Sequence, residues 1–372
     1  MPASARHFAL KSLLWVAITS LIVACTSAPR GGQTTNHDEG DTLSLRYARN
    51  LTLVQFEDRI EVSLRNPWDT TRLLHHDVLV PASTGRDGEV IVPLRRAAVF
   101  TSVHCGLLQE LGVQDAVGGV CELEYIHLPY VQQGVSQGRI ANLGNGMEPN
   151  IERIMDLQPD ALMPSPFENS GGYGRLERLG IPIIECAEYM EVSPLARAEW
   201  IRFYGRLFGV AERADSLFLA IEQSYLSLCE QAARAQSHPR LLAEKPQSGH
   251  WYVPGAQSTM GQMYRDAGAQ YLFHDLEGSG STPLSIEHVL DRALTADVWL
   301  VKHHGPITRQ QICEDVPTLG RITAPLWLCD TQQSGFYEET PFHPERLLSN
   351  LINILHPELA IQVEKSYFCP LE

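Results

Sequence analysis

The stretch Gly144-Asn-Gly-Met-Glu-Pro-Asn-Ile-Glu-Arg-Ile-Met-Asp-Leu-Gln-Pro-Asp160 decides the fold, because its helical part recurs later in the chain. Ile286-Glu-His-Val-Leu-Asp291 agrees with Ile151-Glu-Arg-Ile-Met-Asp156 in residue type at all six positions and in identity at three. Each copy predicts a short amphipathic helix, and an apolar run typical of a buried strand follows each one. The repetition predicts two lobes of one plan.

Strand, loop and helix alternate outward from these copies, which predicts an α/β fold with mainly parallel sheets. We expect two Rossmann-like α/β lobes, an N-terminal lobe over 95–208 and a C-terminal lobe over 239–372. Apolar residues at helical spacing predict one long linking helix over 209–238. About 25 helical residues would span about 38 Å, enough to join the lobes. Short strand-like segments over 43–94 predict a small antiparallel β-rich addition, to which the sequence assigns no further role.

The N-terminus predicts export and a lipid anchor. Two basic residues precede an apolar run that ends at Ala24, too short for a bilayer core of about 30 Å, so residues 1–24 are predicted to be a signal peptide. Leu21-Ile-Val-Ala-Cys25 resembles the lipobox of bacterial lipoproteins, so Cys25 is the predicted lipidation site. An ordinary signal peptide with a chance cysteine is the alternative. Residues 25–42 contain almost nothing apolar and predict a flexible tether.

Length and composition exclude several classes of protein. The chain has 372 residues, of which 44% are hydrophobic and 20% charged, so it is long enough for two or three domains. Its formal net charge of −15 has the wrong sign for binding nucleic acid. The seven cysteines after Cys25 form no Cys-x-x-Cys pair, which leaves a zinc ribbon or a dithiol redox site without support. We expect mostly buried thiols, and one disulfide bridge stays open.

These features together resemble the substrate-binding proteins of bacterial ABC importers for iron-siderophores, haem and cobalamin. The resemblance covers residues 94–357 and is carried by the order and spacing of four segments: 144–160, Arg178-Leu-Gly-Ile-Pro182, Gln262-Met-Tyr-Arg-Asp-Ala-Gly268 and Ser285-Ile-Glu-His-Val-Leu290. It implies a periplasmic binding protein whose two lobes close over a ligand. It also implies a monomer with no resident cofactor and no catalytic activity.

Ligand contacts are expected in the cleft between the lobes, on loops that follow the carboxyl ends of strands. We select His104, Tyr125, Met147 and Phe167 from the N-terminal lobe and Lys245, Trp251, Tyr252 and Trp327 from the C-terminal lobe. Aromatic faces suit a flat macrocycle or a catecholate, and a lysine suits an anionic chelate. A core position is the alternative for Trp327, and a simple hydrogen bond to a carbonyl is the alternative for His104.

A separate site for a free metal ion is not expected. His75-His76 and His303-His304 resemble metal-binding pairs, but adjacent residues on a strand point to opposite faces.

The repeated glutamates Glu152 and Glu287 are the predicted docking residues. In the family that this chain resembles, the corresponding glutamates, one per lobe, meet arginines on the two permease subunits. An acid in the first turn of a helix also interacts favourably with the helix dipole, by only ~0.3–1 kcal/mol. That interaction explains either glutamate alone, but it does not explain why both lobes carry one at the same place.

Two other classes of function remain as alternatives. Glu122, Glu124 and His104 are the acid–base candidates for a tetrapyrrole metal chelatase, although no nucleophile or nucleotide-binding motif accompanies them. A scaffold lipoprotein would have no deep cleft. The preferred hypothesis is an extracytoplasmic, lipid-anchored protein that delivers a metal chelate to an ABC permease. A ferric siderophore is the first choice of ligand, with haem and cobalamin open.

Overall fold

The computed structural model describes residues 40–85, 88–168 and 172–371. The predicted signal peptide, Cys25 and the tether up to residue 39 lie outside these ranges. Within the described ranges, no helix combines the length and the apolar character that crossing a bilayer requires. The described residues form one compact unit.

The N-terminal addition is a five-stranded sheet. Its strands, in sheet order, are β1 (Asp41–Thr42), β2 (Leu51–Gln55), β3 (Ile60–Arg65), β4 (Leu73–Pro81) and β5 (Val90–Val92). The first four are antiparallel as expected, but β5 runs parallel to β4. Alternate apolar residues such as Leu51, Leu53 and Val62 are buried, because successive side chains of a strand point to opposite faces. The last two residues of the predicted tether form β1.

The N-terminal lobe alternates strands and helices around a parallel sheet of order β8-β7-β6-β9. In chain order its elements are β6 (Ala97–Val99), α1 (Ser102–Glu110), β7 (Val117–Cys121), α2 (Pro129–Ser136), β8 (Ala141–Gly144), α3 (Ile151–Leu157) and β9 (Ala161–Met163). A single bridge from Leu162 to Ile183 extends the sheet by one more parallel position.

Three helices connect the lobes: α4 (Pro194–Glu199), α5 (Ile201–Leu207) and α6 (Ala211–Ala232). Helix α6 is shorter than the predicted range. Its 22 residues span about 33 Å at 1.5 Å per residue. Buried residues of α6 recur at helical spacing, from Ala214 and Phe218 to Tyr225 and Leu228, so one face of the helix packs against the body.

The C-terminal lobe has a main sheet of order β13-β10-β15-β16-β17, in which only β17 is antiparallel. A separate small antiparallel sheet has the order β11-β12-β14. The elements in chain order are β10 (Arg240–Ala243), β11 (Pro246–Gln247), β12 (His250–Pro254), α7 (Thr259–Asp266), β13 (Gln270–Tyr271), β14 (Ser281–Leu284), α8 (Ile286–Ala293), β15 (Val298–His303), α9 (Arg309–Glu314), β16 (Leu326–Asp330), α10 (Phe336–Glu339), α11 (Pro344–Leu355) and β17 (Cys369–Leu371).

The two lobes repeat one topology. In the N-terminal lobe, the first strand, β6, pairs with β7 on one side and with β9 on the other. In the C-terminal lobe, the first strand, β10, pairs with β13 on one side and with β15 on the other. The repeated helices α3 and α8 directly precede β9 and β15. An aspartate before each of these strands caps the first strand: Asp160 accepts from the Arg96 amide at 2.7 Å, and Asp297 accepts from the Arg240 amide at 2.8 Å. The predicted two-lobed α/β fold is confirmed.

The lobes touch each other beyond the linking helix. Helix α10 packs on α1, where a Cβ atom at Gly106 would lie 2.1 Å from the Glu338 carbonyl oxygen. Only glycine allows this close approach. Helices α7 and α11 both pack on α4, and α11 also packs on α6. The cleft therefore lies between bodies that are already in contact.

Candidate functional site

The loops at the carboxyl ends of the N-terminal lobe's parallel strands enclose a cavity of about 850 Å³. Loops after all four strands contribute, as open α/β sheets generally arrange at a ligand site. The cavity is lined by Phe100, Thr101, Glu122, Gly146, Met147, Glu148, Pro149, Ile151, Pro164, Ser165, Phe167, Gly172, Tyr173, Gly174, Arg175 and Leu176.

Two of the predicted ligand residues lie in this cavity. Met147 is 68% exposed and Phe167 is 43% exposed, although both are large apolar side chains. They follow different strands, β8 and β9, and only the parallel pairing of the sheet brings them to the same edge. Exposed apolar side chains that gather around a concavity are typical of a small-molecule site.

The loop geometry around Met147 is held by hydrogen bonds. The Gly146 amide donates to Glu122 Oε1 at 2.6 Å, and the Met147 amide donates to Asn145 Oδ1 at 2.8 Å. Glu122 itself has left-handed backbone angles, with φ of 53°. Its carboxylate therefore positions the loop after β8, a role that differs from the acid–base role weighed for a chelatase.

Arg175 and Tyr173 also line the cavity, and the sequence analysis did not select them. The guanidinium of Arg175 is exposed and has no hydrogen-bond or ion-pair partner within the described ranges. Burial, together with Glu185, raises the pKa of Tyr173, so its hydroxyl keeps its proton at neutral pH. These residues lie in an irregular loop, where no periodic pattern marks a side chain as facing a cavity.

Rings from the two lobes meet across the cleft. Tyr125, which follows β7, lies 5.6 Å from the His304 ring, and the His127 ring lies 6.2 Å from the same imidazole. Tyr125 and His127 belong to the N-terminal lobe and His304 to the C-terminal lobe. All three side chains are exposed, so the predicted residue Tyr125 is placed at an interlobe contact, together with two histidines.

Lys245 lies half-buried at the carboxyl end of β10. Burial, reinforced by the ammonium group of Lys245, lowers the pKa of His303. The carboxyl ends of β10 and β15 are thus adjacent at this edge of the sheet. Lys245 and His303 thus lie at the carboxyl ends of parallel strands, as the residues that line the N-terminal cavity do.

Trp251 is a correction. It was expected on a ligand-binding loop, but it lies on strand β12 with 0% exposure. Its indole N–H donates to the Ala243 carbonyl oxygen at 3.0 Å, and its ring lies 6.1 Å from the Trp299 ring. A buried tryptophan with a satisfied donor is a core residue and touches no ligand in this conformation.

His104 is a second correction, because its side chain is 1% exposed and fully partnered. Its Nδ1 lies 2.7 Å from Thr101 Oγ1, and its Nε2 lies 3.2 Å from the Tyr204 hydroxyl and 3.4 Å from Glu188 Oε2. Burial opposes the charge of the ring, yet Cys186 and Glu188 raise the pKa of His104 to about 10. His104 is therefore a buried residue held by three side chains, and it does not face the cavity.

Tyr252 and Trp327 lie apart from the cavity. Tyr252 is 43% exposed on β12, opposite Pro283 of β14. Trp327 is half-buried on β16 between Leu300 and Pro370 of the neighbouring strands, which fits the alternative of a core position. The structure does not bring either residue to the N-terminal cavity.

Glu152 and Glu287 occupy matching positions on the surface. Each lies in the first turn of its helix, and each is exposed. The N-cap residues Asn150 and Ser285 accept from the amides of Arg153 and His288, at 3.0 and 3.2 Å. Neither carboxylate has an ion-pair partner in the described part of the chain. The docking role stays a prediction.

The cysteines that follow Cys25 form no disulfide bridge in the described part of the chain. All seven, from Cys105 to Cys369, are free thiols. Across the described ranges, no group of three or more histidine, cysteine, aspartate and glutamate side chains is arranged to hold a metal ion.

Comparisons with known proteins agree with this architecture. The family model described as periplasmic binding protein matches residues 98–324. An uncharacterised lipoprotein of Methanocaldococcus jannaschii is 23% identical over 398 aligned residues, which cover 96% of this chain and 94% of that protein.

Solved structures share the fold at low identity. A periplasmic haem-binding protein from Pseudomonas aeruginosa has a TM-score of 0.60 at 16% identity, over 75% of this chain and 98% of that chain. An ABC-type Fe³⁺-hydroxamate transport protein from Saccharomonospora viridis has a TM-score of 0.53 at 19% identity, over 71% of this chain and 93% of that chain. At these identities the likeness concerns the fold alone.

Proposed function

The chain belongs to the periplasmic binding protein family, and from that premise we propose that it captures a metal chelate, most specifically a ferric siderophore, and delivers it to an ABC importer. Proteins of this family are substrate-binding transport proteins that work with ABC permeases. The observation that carries the proposal is the cavity of about 850 Å³ at the strand ends of the N-terminal lobe. Its volume falls within the usual range of small-molecule sites.

The chemistry of the cavity suits an anionic chelate with apolar parts. Met147 and Phe167 offer exposed apolar surface that a ligand would cover. Arg175 offers a guanidinium with no partner among the described residues, and a guanidinium binds carboxylate or catecholate oxygens through two parallel hydrogen bonds. A ligand there removes apolar surface from water and also pairs the charge.

The ring cluster of Tyr125, His127 and His304 supports capture between the lobes. It joins a loop of one lobe to a loop of the other, so a ligand at this contact would touch both lobes at once. Imidazole and phenol groups hydrogen-bond to chelate oxygens and stack on flat rings. The same rings favour haem or cobalamin as the alternative ligand, since both present a flat macrocycle.

A lipid anchor at Cys25 and a position outside the cytoplasm complete the proposal. The relative from Methanocaldococcus jannaschii, which aligns with 96% of this chain, is described as a lipoprotein. The lipobox-like segment that ends at Cys25 supports the same modification here. A tethered binding protein would stay close to its permease while it samples ligand.

A ligand panel tests the capture step. Ferric catecholate and hydroxamate siderophores, haem, cobalamin and free divalent metals are titrated into the protein while tryptophan fluorescence and melting temperature are followed. A ligand at a hundred times its Kd adds about 2.7 kcal/mol to the free energy of unfolding, which raises the melting temperature. A response to one chelate identifies the substrate, whereas a response to free metal alone contradicts chelate capture.

Variants locate the site. Replacing both Met147 and Phe167 by alanine is expected to weaken chelate binding about tenfold or more, because both side chains line the cavity. Leu219→Ala is the matched control, since Leu219 is an equally exposed apolar residue on α6. Equal affinities of the double variant and the control would place the ligand elsewhere.

A further inference from the structure

A second cavity, of about 160 Å³, lies where the C-terminal lobe meets helix α4. Its walls come from α4, α7, α10, α11 and the end of β15, and it shares no lining residue with the larger cavity. Most of the wall is apolar, with Met260, Met263, Phe336 and Leu347 among its residues. Two cationic side chains, Arg197 and Lys302, line it as well.

Arg197 is only partly satisfied by the protein. Its side chain is 21% exposed, and its Nη2 lies 3.7 Å from Glu188 Oε1. Its Nε is buried and has no hydrogen-bond partner among the described residues. Because Nε is shielded, an acceptor in the cavity would meet the accessible part of the Arg197 side chain, whose contact with Glu188 is long.

Glu188 is shared among three side chains. Its carboxylate accepts from the Tyr204 hydroxyl at 2.9 Å and lies 3.4 Å from His104 Nε2, so its contact with Arg197, at 3.7 Å, is the longest of the three. Arg197 therefore keeps capacity to bind a further acceptor in the cavity.

Two other parts of the cavity wall carry positive charge, Lys302 and the start of α7. Lys302 is ion-paired with Glu244, and its Nζ lies 5.7 Å from the Phe336 ring centroid. Thr259 and Met260 are the first two residues of α7, whose initial amides have no acceptor within the helix. The positive end of that helix thus faces the same space as Arg197.

We propose that this cavity binds a carboxylate on a short apolar stem, held between Arg197 and the first turn of α7. The carboxylate accepts from Arg197, and the methionine and phenylalanine side chains pack on the stem. The inference rests on the proposed function in one respect: the carboxylate belongs to the captured chelate. The cavity would then bind an acidic arm of the ligand where the C-terminal lobe meets α4.

The test uses propionate as the probe and the full-length protein. Propionate is expected to bind saturably by calorimetry and to raise the melting temperature. Propionamide, which has the same shape without the charge, and chloride at equal ionic strength are expected to do neither. Equal responses to propionate and propionamide would overturn the proposal, and binding of inorganic phosphate in place of propionate would overturn the assignment to a carboxylate.

Two variants separate binding from folding. Arg197→Lys keeps a positive charge near Glu188 but removes the planar guanidinium, and it is expected to weaken propionate binding at least tenfold. Met260→Trp fills the cavity with every charge left in place, and it is expected to abolish binding. Arg139→Lys, at an exposed position after α2 and outside the cavity, is the control. Unchanged affinity in both cavity variants would refute the site.

Competition shows where the carboxylate comes from. If the chelate found by the ligand panel has its own carboxylate in this cavity, propionate and the chelate exclude each other. If a free anion occupies the cavity, both bind together. Propionate binding without any chelate binding leaves the cavity assignment intact and counts against the proposed function alone.

Discussion

Trp251 and Tyr252 are neighbours in sequence, but strand β12 turns their side chains in opposite directions. Trp251 packs in the core, whereas Tyr252 faces solvent. The period of two along a strand is the reason. Two adjacent aromatic residues give no indication of which one is buried, because burial depends on what lies above each face of the sheet.

Trp251→Ala is therefore expected to lower the free energy of unfolding by about 3–5 kcal/mol, because it opens a cavity and leaves the Ala243 carbonyl without its donor. Tyr252→Ala is the matched control and is expected to change it by less than about 0.5 kcal/mol. Denaturant unfolding of both variants measures the difference. Similar losses in the two variants would contradict the burial of Trp251.

His104 has a structural role that its position in the sequence does not suggest. Its partners Thr101, Cys186, Glu188 and Tyr204 surround it, and Arg197 contacts the same glutamate. Burial opposes the charge of Glu188, but His104 and Arg197 lower the pKa of that carboxyl to about 2. The imidazolium and the carboxylate thus stabilise each other's charged forms.

The stability of the protein should depend on pH through His104. Its pKa of about 10 in the folded protein lies above the value of about 6.5 expected in an unfolded chain. The stabilisation is complete below about pH 6.5 and is lost as the pH rises towards 10. Denaturant unfolding between pH 6 and 10 is expected to show this loss in the native protein and not in His104→Gln.

His250→Gln is the control for this titration, because His250 is an exposed histidine. It is expected to keep the pH dependence of the native protein. A His104→Gln profile parallel to that of the native protein from pH 6.5 to 10 would show that His104 is not the titrating cation.

At the scale of elements, the N-terminal sheet is attached to the body by buried carboxylates. Glu199 on α4 accepts from the amides of Arg46, Tyr47 and Ala48 at 2.8–2.9 Å. Glu191 accepts from the Asn50 amide at 3.0 Å and from the indole N–H of Trp200 at 3.0 Å. Two acids of the helical connection thus hold the segment that leads into β2.

Glu199→Ala is expected to lower the free energy of unfolding by at least about 2 kcal/mol, since it leaves three amides without their acceptor. Hydrogen exchange of residues 46–55 should accelerate in the same variant, because β2 loses its anchor. Glu212→Ala, an exposed acid on α6, is the control. If the two variants exchange at the same rate over 46–55, Glu199 does not hold the sheet.

At the scale of the whole molecule, the repeated helices α3 and α8 present one exposed glutamate on each lobe. Both glutamates lie in the first turn, and both helices precede the equivalent strand of their lobe. A partner that binds both lobes at once would meet this pair. The negative net charge of the chain suits a basic surface on that partner.

Reversing both charges, Glu152→Arg with Glu287→Arg, is expected to reduce permease association and chelate uptake about tenfold or more, while chelate binding stays unchanged. Reversing Glu212 and Glu230 on α6 makes the same change in net charge away from this surface and serves as the control. Association with permease-containing membranes and uptake by cells measure the effect. Uptake that falls equally in both double variants would point to net charge instead of docking.

The sequence by itself determined the class of fold, the duplication and the family. Apolar periodicity, the repeated Ile-Glu helices and the turn residues are local, so they can be read within a window of ten to twenty residues. The same local signals predicted the strands of the N-terminal addition and the linking helix. The family match over residues 98–324 confirmed the resemblance that these segments carry.

Only the tertiary structure decided which side chains face the cleft. His104 is buried by Glu188 and Tyr204, which lie far along the chain, and Tyr125 meets His304 only because the two lobes approach each other. Arg175 and Arg197 line cavities that no pattern in the sequence indicates. The physical reason is that burial and pairing depend on contacts between distant segments, and no spacing along one segment encodes them.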